Sequence, residues 1–199
     1  MKKLLLALVV LIVLAVAVLA ALNFLFDKKK TKTQAISGKV TAVVVKSDNG
    51  DVNVVSGSGP ASVRETRHYL VFKKPTVKQT LEGGVLTLDA DCDIPLFDSI
   101  PGTVVKCYSD LDVTVPEGVD VTVQTDSGDV KVSLGGHPLK IVAKSDSGDV
   151  DVAVPSGHYA IDAKSHSGKA KTVGVTNTPK SPKSIEATSD SGDVKVHAR

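Results

Sequence analysis

Apolar and polar residues alternate along most of the chain after residue 35, and short polar corners interrupt the alternation. In one example, alternation over residues 119–125 stops at the corner 126–129 and resumes over 130–134. A period of two is typical of half-buried β-strands. No long helical pattern follows residue 30, so the alternation predicts an all-β body.

The polar corners repeat along the chain. Ser-Asp-Ser-Gly-Asp-Val and its variants begin at residues 47, 125, 145, 165 and 189, so the last four copies are 20, 20 and 24 residues apart. A fixed period of this size is typical of repeat architectures. Aligned by the repeat, apolar residues fall into three columns: Val121, Ile141, Ile161 and Ile185; Val123, Ala143, Ala163 and Ala187; Val130, Val150, Ala170 and Val194.

These columns predict a core of stacked equivalent side chains, because one unit cannot bury its own apolar face. We therefore expect an all-β fold, a β-solenoid-like stack of about 20-residue Ser-Gly-Asp-Val repeats. The alternative is an antiparallel β-hairpin sandwich, since Gly-containing turns between alternating runs also signal hairpins. A mixed arrangement, with hairpins first and rungs later, stays open.

The N-terminal residues 4–22 hold no charged or strongly polar side chain. As a helix they would span roughly 28 Å, enough to cross a bilayer. A cleaved signal peptide starting at Lys2 and Lys3 is the alternative, but its apolar region is about 7 to 15 residues long, and here apolar character persists to Phe26. We expect one uncleaved N-terminal transmembrane helix, whose orientation the charges do not decide because lysines flank both ends.

Two parts of the chain follow from this pattern. Residues 1–30 are expected to be a membrane anchor with a basic flank, and 31–199 an extracellular β-repeat domain. Its irregular first half, 31–111, contains the cysteines, and 112–199 are the regular repeats. The unit at residue 47 is expected to cap one open end, residues 176–183 to form a surface loop, and 194–197 to be an exposed last rung that could pair with another chain.

The chain has two cysteines, Cys92 and Cys107. We expect them to form a disulfide across a loop-like stretch, which would stabilise the fold by about 3 kcal/mol and persist in an oxidising compartment. Two buried free thiols or a partial metal site are the alternatives. A spacing of fifteen without a CxxC motif or nearby histidine disfavours zinc.

Charge excludes one class of partner. The chain carries 24 basic and 22 acidic residues, mixed along the strands, and no tryptophan, so it offers no basic face for nucleic acid. The one basic run, Lys28 to Lys30 with Lys32, lies beside the predicted span. It is expected to fix that span in the membrane, and anionic lipids or wall polymers are alternative partners.

The segment Val-Thr-Val-Pro-Glu-Gly, 113–118, lies between the cysteines and the serial Ser-Gly-Asp-Val units. Together with the apolar N-terminus and the first β region, this order resembles the bacterial putative-adhesin family of β-strand-repeat proteins, a domain of unknown function common in actinobacterial and firmicute envelopes. The resemblance covers nearly all of the chain after the anchor. It implies a membrane-tethered or secreted β-solenoid-like surface protein, and it brings no catalytic residues.

Stacked rungs would place the corner aspartates in columns, with Asp126 over Asp146 and Asp129 over Asp149, about 4.8 Å apart. Like charges at that distance repel by about 1 kcal/mol in water. Calcium favours carboxylate and carbonyl oxygens, so these four aspartates are candidate calcium ligands. No other cofactor is expected.

Structural compensation is the favoured explanation for the aspartates, because the chain lacks the nonapeptide of calcium-binding β-rolls. The third repeat carries His166 and Lys169 in place of its two aspartates, and Lys169 is expected to lie between Asp149 and Asp193. Lys131, Asp151 and Lys171 are expected to alternate in a neighbouring outward column. The aspartates are also expected to bond corner amides.

No catalytic residues are predicted. Histidines 68, 137, 158, 166 and 197 lie in no nucleophile motif, with His137 and His158 expected to face solvent, and the acids form no singular pair. We expect a non-enzyme, single-pass in the cell membrane with its C-terminal domain outside, with an adhesin or surface-binding role toward an envelope glycan or surface protein. The alternatives are a structural or sensory envelope protein without a high-affinity ligand and, least favoured, a polysaccharide-acting enzyme.

Overall fold

The computed structural model describes residues 28–69, 74–92 and 107–199, together with the single residue Leu11. These ranges contain sixteen strands: β1 Lys28–Ala35, β2 Ala42–Asn49, β3 Val52–Ser56, β4 Ser62–Tyr69, β5 Thr76–Glu82, β6 Val85–Asp91, β7 Cys107–Val115, β8 Asp120–Ser127, β9 Val130–Ser133, β10 Lys140–Ser147, β11 Val150–Val154, β12 His158–Ser165, β13 Ala170–Val173, β14 Thr176–Asn177, β15 Ser184–Ser191 and β16 Val194–Ala198. The expected all-β body is confirmed.

The strands form two eight-stranded sheets. Sheet 1 has the order β1-β4-β7-β3-β9-β11-β16-β13, and sheet 2 the order β14-β12-β15-β10-β8-β2-β6-β5. Consecutive strands around each Ser-Gly-Asp corner lie in different sheets and pair in parallel with the equivalent strands of neighbouring repeats, as β8 does with β10. The solenoid-like stack is therefore confirmed, and the hairpin-sandwich alternative is wrong at these corners.

We call each strand pair joined by a corner a rung and name it after the corner glycine. The rungs are Gly50 (β2, β3), Gly128 (β8, β9), Gly148 (β10, β11), Gly168 (β12, β13) and Gly192 (β15, β16). Antiparallel pairs occur where β4 joins β1 and β7, and where β5 joins β6. This places hairpin-like pairing in the first half of the chain, as the mixed arrangement allowed.

The core lies between the two sheets and contains most members of the predicted columns, whereas Ile161 and Ala163 are partly buried and Ala170 is exposed. Ile141 pairs in register with Val121 and Ile185, and Ile185 with Ile161. Val150 likewise pairs with Val130 and Val194. Most of these side chains are at most 1 % exposed, because inward-facing positions of each strand meet their equivalents one rung away.

The order of rungs in space differs from their order in the sequence. The Gly192 rung, last in the chain, lies between the Gly148 and Gly168 rungs, because β15 pairs with both β10 and β12 and β16 with both β11 and β13. The expectation that residues 194–197 form an exposed last rung is wrong: Val196 is fully buried. The terminal rung is instead the Gly168 rung.

The connection 176–183 makes this insertion geometrically feasible. Thr176 and Asn177 form the short edge strand β14 beside β12, and the chain then turns, with the Ser181 amide donating to the carbonyl oxygen of Thr178 at 2.9 Å. Residues 178–183 form the expected loop. The loop returns the chain past β12, so that β15 enters the sheet one rung inside it.

The first half also departs from expectation. The Gly50 rung does not cap an end, because β2 lies between β6 and β8 and β3 between β7 and β9. The next layer is formed by β6 and β7, and its connection is closed by the predicted disulfide between Cys92 and Cys107, whose Cα atoms are 6.0 Å apart. The cysteine pairing is thus confirmed.

The N-terminal predictions concern residues that the structure mostly leaves undescribed. The expected span, 4–22, lies outside the described residues except for Leu11. No helix within the described ranges is long and apolar enough to cross a membrane. The basic run at Lys28 forms part of β1, which pairs with β4, so the strand starts inside the expected flank, 1–30.

Candidate functional site

The repeated corner gives each rung a set of polar side chains, and its first residue, a serine or Thr125, is buried in four of the five rungs. Ser145 Oγ donates to the carbonyl oxygen of Gly128 at 2.9 Å, and Ser189 Oγ to that of Gly148 at 2.7 Å. Both serines are 3 % exposed. The hydroxyl group therefore satisfies a backbone acceptor that stacking would otherwise bury without a partner.

The corner glycine is required by the close approach of neighbouring backbones. A Cβ atom on Gly148 would lie 2.1 Å from the carbonyl oxygen of Gly128, and one on Gly192 would lie 2.1 Å from that of Gly148. Both clashes are with main-chain atoms, which can move only if the rung moves. Only glycine permits this spacing between corners.

The second aspartate of four corners, together with Asp110 of β7, lies in what we call the inner aspartate column: Asp110, Asp51, Asp129, Asp149 and Asp193, in spatial order. Each carboxylate accepts the backbone amide of the next member. The Asp149 amide donates to Asp129 Oδ1 at 2.9 Å and the Asp193 amide to Asp149 Oδ1 at 2.8 Å. A hydrogen bond to an ionised acceptor is stronger than a neutral one, so this column joins the rungs together.

Lys169 ends the inner column. Its amide donates to Asp193 Oδ1 at 2.9 Å, so Lys169 is adjacent to Asp193 alone and does not lie between Asp149 and Asp193 as expected. That prediction is wrong because the Gly192 rung is inserted before the Gly168 rung. Beyond Lys169 no further rung is described that could donate an amide, and at this position the third repeat has lysine in place of its second aspartate.

The first aspartate of each corner lies in a parallel outer aspartate column. Strand register places its members in the order Asp91, Asp48, Asp126, Asp146, Asp190 and His166. Asp126, Asp146 and Asp190 are exposed. Asp48 Oδ2 accepts the Cys92 amide at 3.3 Å; burial raises its pKa, the amide lowers it, and the Asp91 and Asp126 carboxylates raise it further.

The four candidate calcium ligands occupy these two columns. Asp126 neighbours Asp146 in the outer column, and Asp129 neighbours Asp149 in the inner one. One oxygen of each inner carboxylate is already bound to an amide. Within the described ranges, no group of three or more His, Cys, Asp or Glu side chains is arranged to hold a metal ion, and calcium binding stays a prediction.

Outward charges on the sheet 1 face also follow the spatial order of rungs. The column runs Lys131, Asp151, Lys195 and Lys171, because Asp151 pairs with Lys195 and Lys195 with Lys171. The expected alternation ending in Lys171 beside Asp151 is therefore wrong. Asp151 instead has His197 as a neighbour: His197 Nε2 lies 2.9 Å from Asp151 Oδ1, without hydrogen-bond geometry.

A polar cluster at β4 and β7 was not predicted. Glu65, buried at 6 % exposure, accepts two hydrogen bonds from the Arg67 guanidinium and lies 3.5 Å from Ser109 Oγ. The hydrogen bond to Glu65 raises the pKa of the Arg67 guanidinium, and burial lowers it. Glu65 shares the inward parity of Val63 and Tyr69, so the alternation of β4 could have revealed a buried acid.

The histidines are dispersed over the described surface. His68 stacks on Tyr108 with ring centroids 4.5 Å apart and lies 3.1 Å from Asp110 Oδ2 without hydrogen-bond geometry. His137 and His158 are exposed, as expected, and contact Lys183 and Thr178 respectively. The contacts of His137 and His158 both involve the loop 178–183, whereas His68 lies on β4.

Comparison with known proteins adds a family. The model of the Toastrack DUF4097 family matches residues 15–199. The sequence matches none of the curated proteins with which it was compared.

Solved structures with a similar arrangement include three bacterial proteins. A putative cell adhesion protein from Clostridium sporogenes is 13% identical, with 86% of this chain and 100% of that chain covered and a TM-score of 0.44. A putative adhesin from Bacteroides fragilis is 11% identical, with coverages of 86% and 97% and a TM-score of 0.31. A putative lipid binding protein from Parabacteroides distasonis is 9% identical, with coverages of 85% and 97% and a TM-score of 0.32.

Proposed function

The chain belongs to the Toastrack DUF4097 family, and from that premise we propose that it is a surface-binding module of the adhesin type. Its expected partner is an envelope glycan or another surface protein. The stack would present the outer aspartate column to this partner as a regular series of carboxylates.

The observation that supports this proposal is the difference between the two aspartate columns. Inner carboxylates accept amides from the next rung. Asp126, Asp146 and Asp190 in the outer column recur at a rise of about 4.8 Å per rung, and they are exposed, as the inner Asp129, Asp149 and Asp193 also are. Carboxylates accept hydrogen bonds from hydroxyl groups, so a polymer with repeated hydroxyl groups could contact several rungs at once.

Location is part of the same proposal. The disulfide between Cys92 and Cys107 is of the kind that persists in oxidising compartments. We propose that residues 4–22 anchor the protein in the cell membrane as a single span and that the β body lies outside. Calcium is proposed as an accessory ion that reduces repulsion within the outer column and bridges it to the partner.

A structural or sensory role in the envelope is the second candidate. It is favoured by the corner chemistry, because Ser145, Ser189, the corner glycines and the inner aspartates make contacts between rungs. If the repeated residues serve only to hold the rungs together, the repeat pattern is explained without a ligand. We do not propose an enzymatic activity.

The test is retention of the full-length chain, purified in detergent, on cell envelope isolated from the producing cells. The test variant carries Asp126→Asn, Asp146→Asn and Asp190→Asn. The matched control carries Glu82→Gln, Glu117→Gln and Glu186→Gln, which removes the same charge from other parts of the surface. Each protein is assayed with and without a calcium chelator.

Saturable retention of the parent and the control, with a loss of at least about tenfold in the aspartate variant, is the expected result; three lost contacts of about 0.5–1.5 kcal/mol each would produce it. A further loss with chelator supports the calcium proposal. No saturable retention of the parent would overturn the binding role and leave the structural or sensory one.

A further inference from the structure

The Gly168 rung leaves a strand edge without a neighbouring strand in the described part of the chain. There, β13 pairs only with β16, and the outer side of β12 is covered by β14 at His158 and Tyr159 alone. All four residues of β13 are exposed, and Val173 is 43% exposed. In the rungs further inside, the equivalents of Ala170 are at most 1% exposed.

The chain itself shows that this edge accepts peptide groups. Asn177 Oδ1 accepts the Ile161 amide at 3.1 Å, and Asn177 Nδ2 donates to the Ile161 carbonyl oxygen at 3.3 Å. The side-chain amide thus reproduces the two hydrogen bonds of an added strand. The contact with Asn177 ends at Ile161. Backbone groups of alternate residues in a strand point to the same side, so those of Ala163 and Ser165 are directed outward like those of Ile161.

The same parity argument identifies the outward groups of β13. The Val194 amide donates to the Lys169 carbonyl oxygen and the Lys169 amide to Asp193, so Lys169 directs its backbone groups toward β16. Successive residues of a parallel strand direct their backbone N–H and C=O groups alternately toward the two neighbouring strands. Ala170 and Thr172 therefore direct their amides and carbonyl oxygens away from the stack.

Charge on this rung favours one kind of partner. Lys164, Lys169 and Lys171 are exposed, and His166 and Lys169 occupy the places that aspartates occupy in the inner rungs. The acid on these strands, Asp162, lies 2.9 Å from Lys164. An incoming strand would therefore meet a positive edge, to which acidic side chains are complementary.

A second copy of this chain fits the edge poorly. Pairing of two such edges would bring Lys169 and Lys171 of one copy close to the same lysines of the other, and lysines at edges are a common device against self-pairing. At the opposite end of sheet 1, β1 carries Lys28, Lys29, Lys30 and Lys32. Head-to-tail stacking of copies through sheet 1 would join two basic edges.

We propose that the outer edge of β13 in the terminal rung, residues 170–173, binds an extended acidic peptide segment of another protein as an added strand. Main-chain hydrogen bonds to the outward groups of Ala170 and Thr172 supply the pairing, and Lys169 and Lys171 select acidic side chains. The inference concerns the end of the stack and does not depend on the role proposed for the outer aspartate column.

The test uses the full-length chain in detergent and a fluorescent eight-residue peptide of alternating glutamate and valine. Its controls are the same peptide with alternate amides methylated, a lysine-valine peptide, and polyphosphate as an anionic polymer without amides. The first variant is Thr172→Pro, which removes one outward N–H while every bond of β13 to β16 is kept; proline is tolerated at such edge positions. The second is Lys169→Glu with Lys171→Glu, matched by Lys46→Glu with Lys78→Glu.

We expect saturable binding of the glutamate-valine peptide, at least tenfold weaker binding of the methylated and lysine peptides, and at least tenfold loss in Thr172→Pro and in the Lys169/Lys171 variant. The control variant Lys46→Glu with Lys78→Glu should change binding less than threefold. The unfolding temperature of Thr172→Pro should equal that of the parent. Equal binding of methylated and unmethylated peptide, binding of polyphosphate alone, or no binding by the parent would each overturn the proposal. Envelope retention of Thr172→Pro should equal that of the parent, which separates this proposal from the first.

Discussion

The Gly148 rung and the Gly168 rung are equivalent units of the repeat in different surroundings. The Gly148 rung has neighbours on both sides, with Val150 and Ala143 buried and Asp149 bound to the next amide. The Gly168 rung has a described neighbouring rung on one side, with only the short β14 on the other, and carries Ala170 and Lys169 at the equivalent positions. The comparison shows that Val150 and Asp149 serve a neighbouring rung, and that their equivalents are replaced where no further rung is described.

The corner glycine should give the largest effect in a test of this comparison. Gly148→Ala places a Cβ atom 2.1 Å from a carbonyl oxygen and should lower the free energy of unfolding by about 3 kcal/mol. Gly59→Ala, where no atom lies within 4 Å, is the control and should change it by less than about 0.5 kcal/mol. Chemical unfolding of the full-length chain measures both. Equal effects would show that the corners do not approach as closely as described.

The apolar column should respond next. Val194→Ala removes two methyl groups from a side chain that is 1 % exposed and should cost about 2 kcal/mol. The reverse change at the terminal rung, Ala170→Val, adds the same atoms to an exposed position and should change stability by less than about 0.5 kcal/mol. Unfolding midpoints of the two variants test the pair. A stabilisation above 1 kcal/mol in Ala170→Val would indicate that the terminal rung is covered.

The inner aspartate column should give a smaller contrast. Asp149→Ala removes the acceptor of the Asp193 amide. A hydrogen bond to a charged group contributes about 1.5–3 kcal/mol at full strength. Because this carboxylate is exposed, we expect the free energy of unfolding to fall by about 1 kcal/mol. Lys169→Asp introduces a carboxylate where no described rung follows, so stability should change by less than about 0.5 kcal/mol. Hydrogen exchange of the Asp193 amide should accelerate in Asp149→Ala alone. Unaltered exchange there would remove the proposed role of the column.

The outer column should give the smallest effect, and it depends on pH. Because burial and neighbouring carboxylates raise the pKa of Asp48 in the folded state, its ionised form destabilises the fold above that pKa. This penalty is lost as pH falls through the folded pKa toward the unfolded value of about 3.9. Asp48→Asn should therefore be more stable than the parent at neutral pH and equally stable near pH 3, as measured by thermal unfolding. A constant difference across that range would contradict the assignment.

Much of the stack was predictable because the alternation and the repeat period report local structure and equivalent environments. The columns of Ile141 and Val150 and the parallel arrangement follow from those patterns, and the Cys92–Cys107 disulfide follows from the presence of two cysteines beside one loop-like stretch. The rung order did not, since period and column identity are unchanged when two adjacent rungs exchange places. The errors at Lys169, Lys171 and residues 194–197 all arise from this one exchange.

The candidate site was predicted in part for the same reason. The pairs Asp126 with Asp146 and Asp129 with Asp149 are neighbours, as expected, because their rungs are adjacent in both orders. The distinct roles of the two columns required coordinates, since the sequence does not show which carboxylate reaches an amide in the next rung. The terminal edge could not be located without the rung order.

The rung order is best tested by disulfide trapping between outward positions of sheet 1. Three double variants are made: Asp151→Cys with Lys195→Cys, Lys171→Cys with Lys195→Cys, and Asp151→Cys with Lys171→Cys. Neighbouring strands bring Cα atoms to about 5 Å, within reach of a disulfide, whereas strands two rungs apart are separated by about 10 Å. Under mild oxidation we predict that the first two pairs close and the third stays reduced. Closure of the third pair without the first would place the repeats in sequence order and contradict the account.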